Sequence, residues 1–515
     1  MSTLDAISGR IALPQSAAGA KLAKAFSFPV LLGALLVTGA SLRALHNLHD
    51  PDTWWHVAVG ERILQERVLP ESDPYSFTVG GNHWMAYEWL GEILLAVAAR
   101  QQGVIGLKAL LVLLAGTLFL LLYYYCYLRS KSIKASFVAC TVLLPLATIT
   151  FTARPQLLGY CFLVLTLICL ERFQQGSSKA LWILPLIFLV WVNTHGSFAF
   201  GLFVMGIYFA AGLFRFEWGA ISAEAWSPQQ RLRLETAMLL SVVAITLTPY
   251  GTRLAAYPLE MALLQGNSTA NIYEWLPAAP ETWFGKFFVI VLLAYFVAQA
   301  ALRQRYRLPE LALFSFAVFS AALHRRFLIV FLIVFAPLLA ALLARLLSPY
   351  NAAKDHPLLN AALVLAAVLA VAHFAPSRDE LKTAVSRNYP EHAVEHLRSH
   401  PPAGPLFNEY GWGGYLIWAL HPEQRVFIDG RADIYDYSGV FSDYLSISRV
   451  EEDALPLLRK YGIQACLVRQ DGPISTLLSA SPEWEQAYAD EVSAIYVRKA
   501  GHASPAVLSA YRRAN

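Results

Sequence analysis

Across 515 residues the chain is 57% hydrophobic and only 15% charged, with 40 Lys+Arg against 36 Asp+Glu and a formal net charge of +4. A soluble chain of this length carries about 25% charge, so composition excludes a soluble globular protein and predicts a polytopic α-helical membrane protein. No basic tract is long enough for a nucleic-acid partner. Cys126, Cys140, Cys161 and Cys169 lie in apolar segments and only Cys466 in a polar one, which is neither a disulfide framework nor a zinc spacing.

The first 26 residues, with Lys21 and Lys24, read as a cytoplasmic segment ahead of a retained anchor. A span needs roughly 20 apolar residues. About eleven stretches qualify, some of them short: 27–45, 104–128, 133–151, 155–173, 179–196, 197–216, 234–249, 284–302, 308–323, 327–347 and 357–375. With the N-terminus in the cytoplasm, Arg129/Lys131/Lys134, Arg172/Lys179, Arg215/Arg231/Arg233, Arg303/Arg305/Arg307 and Arg345/Lys354 all fall on the cytoplasmic side, as the positive-inside rule requires. The transmembrane region is thus expected over 27–376.

Between the first two spans lies a long loop, 46–103, that begins HNLHDPDTWWH. One interfacial helix is expected from Pro51 to about Glu66 and a second over 87–100, where Glu88 and Glu92 would be costly inside lipid. After about 377 the charge density rises. Residues 377–515 are predicted to form a soluble α/β domain on the outer side, with a strand at 405–407, a strand at RVFIDG, another at QACLV and a closing hairpin.

Asp50-Pro51-Asp52 is a good helix start. It is also a carboxylate pair beside the hydrocarbon edge, where partial desolvation raises proton affinity toward that of a general base. Both readings can hold together. Glu88 is a second acidic candidate, or a residue facing water. His56 and His83 are ligand or proton-carrier candidates, or ordinary interfacial histidines. Arg154, in TARPQ, and His324-Arg325-Arg326 interrupt apolar segments at the same level. Arginines there need an anionic partner, either a phosphate bound in forked geometry or an aspartate. His195, in WVNTHGS, lies at that level too. In the tail, Asp429, with Arg431 and Asp433 nearby, is a candidate to bind a sugar or acceptor, or marks a turn closed by its own ion pair. No P-loop, GxSxG or HExxH is present, and the Gly411/Gly413/Gly414 cluster is not a nucleotide-binding fingerprint.

Together these residues resemble the membrane glycosyltransferases of the GT-C superfamily, with protein O-mannosyltransferases and lipid A aminoarabinose transferases as analogies. Those share an acidic pair in the first outer loop, interfacial helices after it, and a bundle of spans. More specifically, the chain is similar to a group of bacterial glycosyltransferase-like proteins. The segments DTWWHVAVGERIL, DPYSFT, HWMAYEWLGE, RPQLLGY, WVNTHGSF, TPYG and FIDGRADIY carry that likeness. The mannosyltransferases carry adjacent Asp-Glu where Pro51 separates two Asp here, and their soluble tail differs.

The resemblance implies a sugar donor on a polyprenyl phosphate, presented at the outer face of a bacterial inner membrane. Arg154, His195, His324, Arg325 and Arg326 would hold the phosphate. Asp50 or Asp52, with Glu88, would serve catalysis, and a single displacement would invert the anomeric carbon. His56, His83, Asp429 and Arg431 would contact acceptor or sugar. A divalent metal (Mg or Mn) at Asp50 and Asp52 stays open, and the acceptor is unassigned. The competing readings are a transporter or flippase of a lipid-linked sugar, for which Pro185 and Pro337 are the only hints of broken helices, and a non-catalytic envelope assembly protein.

Overall fold

The computed structural model describes residues 17–45, 50–264 and 266–499. Residues 1–16 of the expected N-terminal segment, 46–49 of the first loop and 500–515 of the tail lie outside the described residues. Each apolar stretch read from the sequence falls on a helix. Among the described residues, 7 helices are long and apolar enough to cross a membrane, from Lys21–Ala44 to Pro357–Phe374. The stretches at 179–196, 197–216 and 308–323 form shorter apolar helices. That at 234–249 falls on Pro228–Ala244, whose first turns carry Arg231, Arg233 and Glu235.

Helix Leu328–Leu343 is apolar all round and buried along nearly its whole length, which marks it as the centre of the bundle. It runs unbroken through Pro337. Helix Pro357–Phe374 buries only Asn360 and Ala367 and stands at the periphery. One end of the bundle is tied by ions. Arg307 Nη2 lies 2.6 Å from Glu171 and 2.5 Å from Glu310, and Arg129 also pairs with Glu310.

At the other end the first loop forms the helices Asp52–Glu66 and Trp89–Gln102. Asp50 accepts the backbone N–H of Asp52 at 2.9 Å and so starts the first of them. Between the two, the Asp73 carboxylate accepts the N–H groups of Tyr75 and Ser76, which folds DPYS into a turn.

The C-terminal region carries a 4-stranded sheet in the spatial order Leu406–Asn408, Ala465–Arg469, Ser493–Arg498, Trp484–Ala489. The first two strands are parallel and the last two form an antiparallel hairpin. RVFIDG is not a strand of this sheet. Val426 instead pairs with the first loop: its N–H donates to Tyr75 O, and its carbonyl accepts Phe77 N, each at 3.1 Å. The alternating pattern was legible, but the partner is a loop 350 residues earlier, roughly, in a chain where sequence separation hides such pairings. Trp54, Trp55, Tyr75 and Trp84 of that loop share one core with Phe407, Leu416 and Phe427. First loop and C-terminal region are therefore built as a single packed unit over the end of the bundle.

Candidate active site

The site is organised by Arg154, which a tight turn leaves at the start of helix Gln156–Gln174. Its Nε lies 2.7 Å from the Asp50 carboxylate and its Nη2 2.8 Å from Asp52. Its Nη1 reaches Glu274 at 3.4 Å. Glu274 in turn faces Arg326 Nη1 at 3.5 Å, and the Arg326 guanidinium lies over the Trp275 ring at 4.1 Å. Carboxylates near residue 50 and an arginine near residue 326 thus meet through two intermediaries.

Burial pushes the Asp52 carboxyl up to about 7; Arg154 pulls it back, while Asp50 and Glu274 add to the rise. At Glu274 burial is outweighed by Arg326 and Arg154, with His195, which together hold it below the usual carboxylate range.

A second tier lies beside this one. Glu88, at the N-terminus of helix Trp89–Gln102, faces His56 Nε2 at 3.5 Å and His195 Nε2 at 3.3 Å. His56 Nδ1 continues to Glu92 at 3.3 Å, and His195 Nδ1 to Ser197 Oγ at 2.8 Å. Burial raises Glu88 to about 8, against the pull of Arg154 and with Asp52 adding to the rise. Burial, with Glu88 adding, raises Glu92 well above its ordinary value. Burial lowers His56 well below its ordinary value and, with Arg326, lowers His195 to about 3. Burial thus favours the uncharged form of each carboxyl and imidazole in this tier.

These groups open onto a cavity of about 1170 Å³ whose polar wall includes Asp52, Glu88, Arg154, His195, Glu274 and Arg326. An apolar wall of Leu163, Phe200, Phe203, Phe327 and Val330 continues into the helices. Two glycines make the approach possible. A Cβ on Gly430 would lie 1.8 Å from Asp52 Oδ1, and one on Gly159 would lie 2.3 Å from Ser197 Oγ. Five of the seven segments that carry the family resemblance converge here: DTWWH supplies Asp52, HWMAYEWLGE Glu88, RPQLLGY Arg154 and Gly159, WVNTHGSF His195, and FIDGRADIY Gly430. Tyr250 of TPYG backs the wall, its hydroxyl accepting Ala86 N and donating to Pro70 O.

Of the residues expected at the site, Asp52, His56, Glu88, Arg154, His195, His324 and Arg326 line the cavity. Asp50 stands behind Arg154. His324 is turned to the Trp275 carbonyl, 2.5 Å from its Nδ1. The other expected residues lie off the cavity. Arg325 points away, stacked on Tyr273 at 3.6 Å and hydrogen-bonded to the carbonyls of Leu276 and Pro277. His83 is exposed beside Ser72. Asp429 and Arg431 are sealed into an ion pair at 2.7 Å, with Asp73 a further 2.7 Å partner of Arg431. Their neighbours Gly430 and Asp433 line the cavity instead. The sequence reading gave Glu274, Trp275 and Tyr257 no role, and named Asp433 only as a neighbour of Asp429 and Arg431. Glu274 had a signal, since Arg154 and Arg326 each needed an anion and few acids lie at that level.

The aspartate pair does not fit a divalent metal as it stands. Arg154 occupies both carboxylates, and no group of three or more His, Cys, Asp or Glu side chains could hold a metal ion among the described residues.

No family model and no curated protein matches the chain. Solved structures do. The archaeal oligosaccharyltransferase AglB from Archaeoglobus fulgidus, in complex with an inhibitory peptide and a dolichol-phosphate, aligns at TM-score 0.50 and 12% identity over 92% of this chain and 75% of its own. ArnT from Cupriavidus metallidurans bound to undecaprenyl phosphate aligns at TM-score 0.48 and 15% identity over 92% and 98%. The likeness to AglB shows the fold: this chain, a multi-pass membrane protein, folds as that oligosaccharyltransferase does.

Proposed function

We propose that the chain is a glycosyltransferase that moves a sugar from a polyprenyl-phosphate donor to an acceptor hydroxyl, with inversion, at the outer face of a bacterial inner membrane. One observation carries the reading: Asp52 and Arg326 line the same cavity, joined through Arg154 and Glu274. The GT-C fold and the positive-inside placement of the loop arginines support it.

The donor phosphate lies against Arg326, whose guanidinium has no protein acceptor beyond Glu274 among the described residues. The prenyl chain leaves along the apolar wall of Phe200, Phe203 and Phe327. Asp52 rather than Asp50 is the base, because Asp52 lines the cavity and Asp50 sits behind Arg154. The acceptor oxygen bonds to the anomeric carbon as the bond from that carbon to the phosphate oxygen breaks. Its proton passes to Asp52, and the electron pair leaves with the polyprenyl phosphate. Arg326 and Arg154 stabilise the charge that grows on the leaving phosphate. No step needs a metal.

Transport draws no support from the bundle: helix Leu328–Leu343 stays continuous at Pro337, and Pro185 merely begins helix Leu184–Val192. The test is release of polyprenyl phosphate from a panel of polyprenyl-phosphate hexoses by the purified protein in nanodiscs. Asp52→Asn is expected to lower turnover about 10²–10⁴-fold while the lipid still binds. Undiminished turnover by that variant would refute the assignment.

A further inference from the structure

The cavity is chemically divided. One end carries Arg154 and Arg326 and opens onto the apolar helix wall. The other groups Tyr87, Tyr257 and Asp433, which touch one another through Tyr257, with Tyr410 against Phe441, and none of these five pairs with a cation among the described residues. The nearest arginine in sequence, Arg431, is enclosed by Asp429 and Asp73 and does not reach the cavity.

We propose that this second end is an acceptor subsite for an uncharged sugar, with Asp433 and the rings of Tyr87, Tyr257 and Tyr410 as its recognition groups. The inference rests on the transfer reading above and deepens it by naming the acceptor class.

Four observations carry it. Asp433 is 6% exposed, lines the cavity and receives the Tyr257 hydroxyl at 2.7 Å, so its carboxylate is held in one place. The Tyr87 and Tyr257 rings lie 4.4 Å apart at 33°, and the Tyr410 ring stands edge-on to Phe441 at 5.8 Å. A wall of rings with a few fixed polar groups suits a pyranose, whose C–H face packs on a ring while its hydroxyls reach a carboxylate. The charge is one-sided: Asp433 has no ion-pair partner among the described residues, and Arg431 beside it in sequence is closed by Asp429 and Asp73, so a phosphorylated or carboxylated acceptor finds no cation at this carboxylate. Finally, among the described residues every lining residue comes from a helix or a loop, and none belongs to a strand whose free edge an extended peptide would pair with.

The subsite also adjoins the chemistry. Gly430, which packs against Asp52 Oδ1, and Asp433 lie three residues apart on one segment and both line the cavity, so a sugar held by Asp433 sits on the same wall as the base.

The experiment is saturation-transfer NMR on the full chain in nanodiscs, with the methyl glycosides of glucose, galactose, mannose and N-acetylglucosamine as probes. A serine-containing peptide and a phosphorylated glycolipid serve as competitors. At least one glycoside is expected to saturate, and Asp433→Asn to weaken it tenfold or more. Tyr87→Leu, at a half-buried position that tolerates the change more readily, is expected to weaken it as well. The proposal is overturned if no glycoside saturates, if both variants bind as the wild type does, or if the peptide or the anionic glycolipid displaces the glycosides. Polyprenyl-phosphate binding, followed in parallel by tryptophan fluorescence in the wild type and in Arg326→Ala, reports separately on the donor reading. Lipid binding without glycoside binding removes the acceptor subsite alone; absence of lipid binding removes the transfer reading itself.

Discussion

Two buried ion networks sit at opposite ends of one helix. Glu171 lies near the end of Gln156–Gln174 and Arg154 just before its start, about 25 Å apart at 1.5 Å per residue. At the Glu171 end, Arg129 and Arg307 face Glu171 and Glu310, and none of the four lines the cavity. At the Arg154 end, Arg154 and Arg326 face Asp50, Asp52 and Glu274, with Glu88 and Asp433 close by and a large void in front. The first network is balanced and closed, as a clamp between helices should be. The second holds more acid than base and leaves room for a ligand. Ion density inside a membrane protein therefore does not by itself mark chemistry; imbalance beside a cavity does.

The comparison breaks most sharply if single arginines are removed. Arg154→Ala strands several buried carboxylates and is expected to cost about 3–5 kcal/mol of stability and to abolish transfer. Arg307→Ala strands Glu171 and Glu310 at a similar cost but is expected to leave lipid-phosphate binding within twofold, roughly, since it acts through packing alone. Thermal unfolding and lipid binding on the two variants separate the networks. Equal loss of lipid binding in both would erase the distinction.

Gly430→Ala comes next. Its Cβ would lie 1.8 Å from Asp52 Oδ1, so the carboxylate must move. A misplacement of about 1 Å lowers turnover on the order of 10²-fold, with bundle stability largely kept. Wild-type turnover by this variant would mean that Asp52 is not positioned through that contact.

The pH response is smaller and has a definite sign. Asp52 must be ionised to act as base, so turnover should rise with pH through about 7. Stability should run the other way. Glu88 holds its proton more tightly folded than unfolded, so its contribution is full below 4.5 and is lost as pH rises to about 8. Glu88→Gln should flatten that part of the stability profile in pH-dependent melting. The smallest expected effect is that of a chelator: EDTA should change turnover by less than about twofold, because Arg154 already occupies the aspartate pair. A large, metal-reversible loss would contradict this.

Much of the site was legible because charge beside hydrocarbon is costly and so singles itself out. Asp52, Glu88, Arg154 and Arg326 were found on that ground. Arg325 was not separable from Arg326 in sequence; only the short turn Arg325–Phe327 sends one guanidinium to Tyr273 and the other to the cavity. Asp429 and Arg431 looked reactive for the same reason that they are inert: they satisfy one another. Asp433, two residues on, reads as part of the same group, and it is the member that reaches the cavity. The helices followed from apolar length. The pairing of Val426 with the first loop did not, because an alternating pattern fixes a strand's faces and says nothing of its distant partner.

The most direct measurement is a cryo-EM map of the protein with a polyprenyl phosphate bound. The account predicts phosphate density within hydrogen-bond distance of Arg326, in the cavity that Asp52 lines, with the prenyl tail along Phe200 and Phe327. Phosphate density on the Arg129/Arg307 side of the bundle, or at Arg325 and away from Asp52, would contradict it.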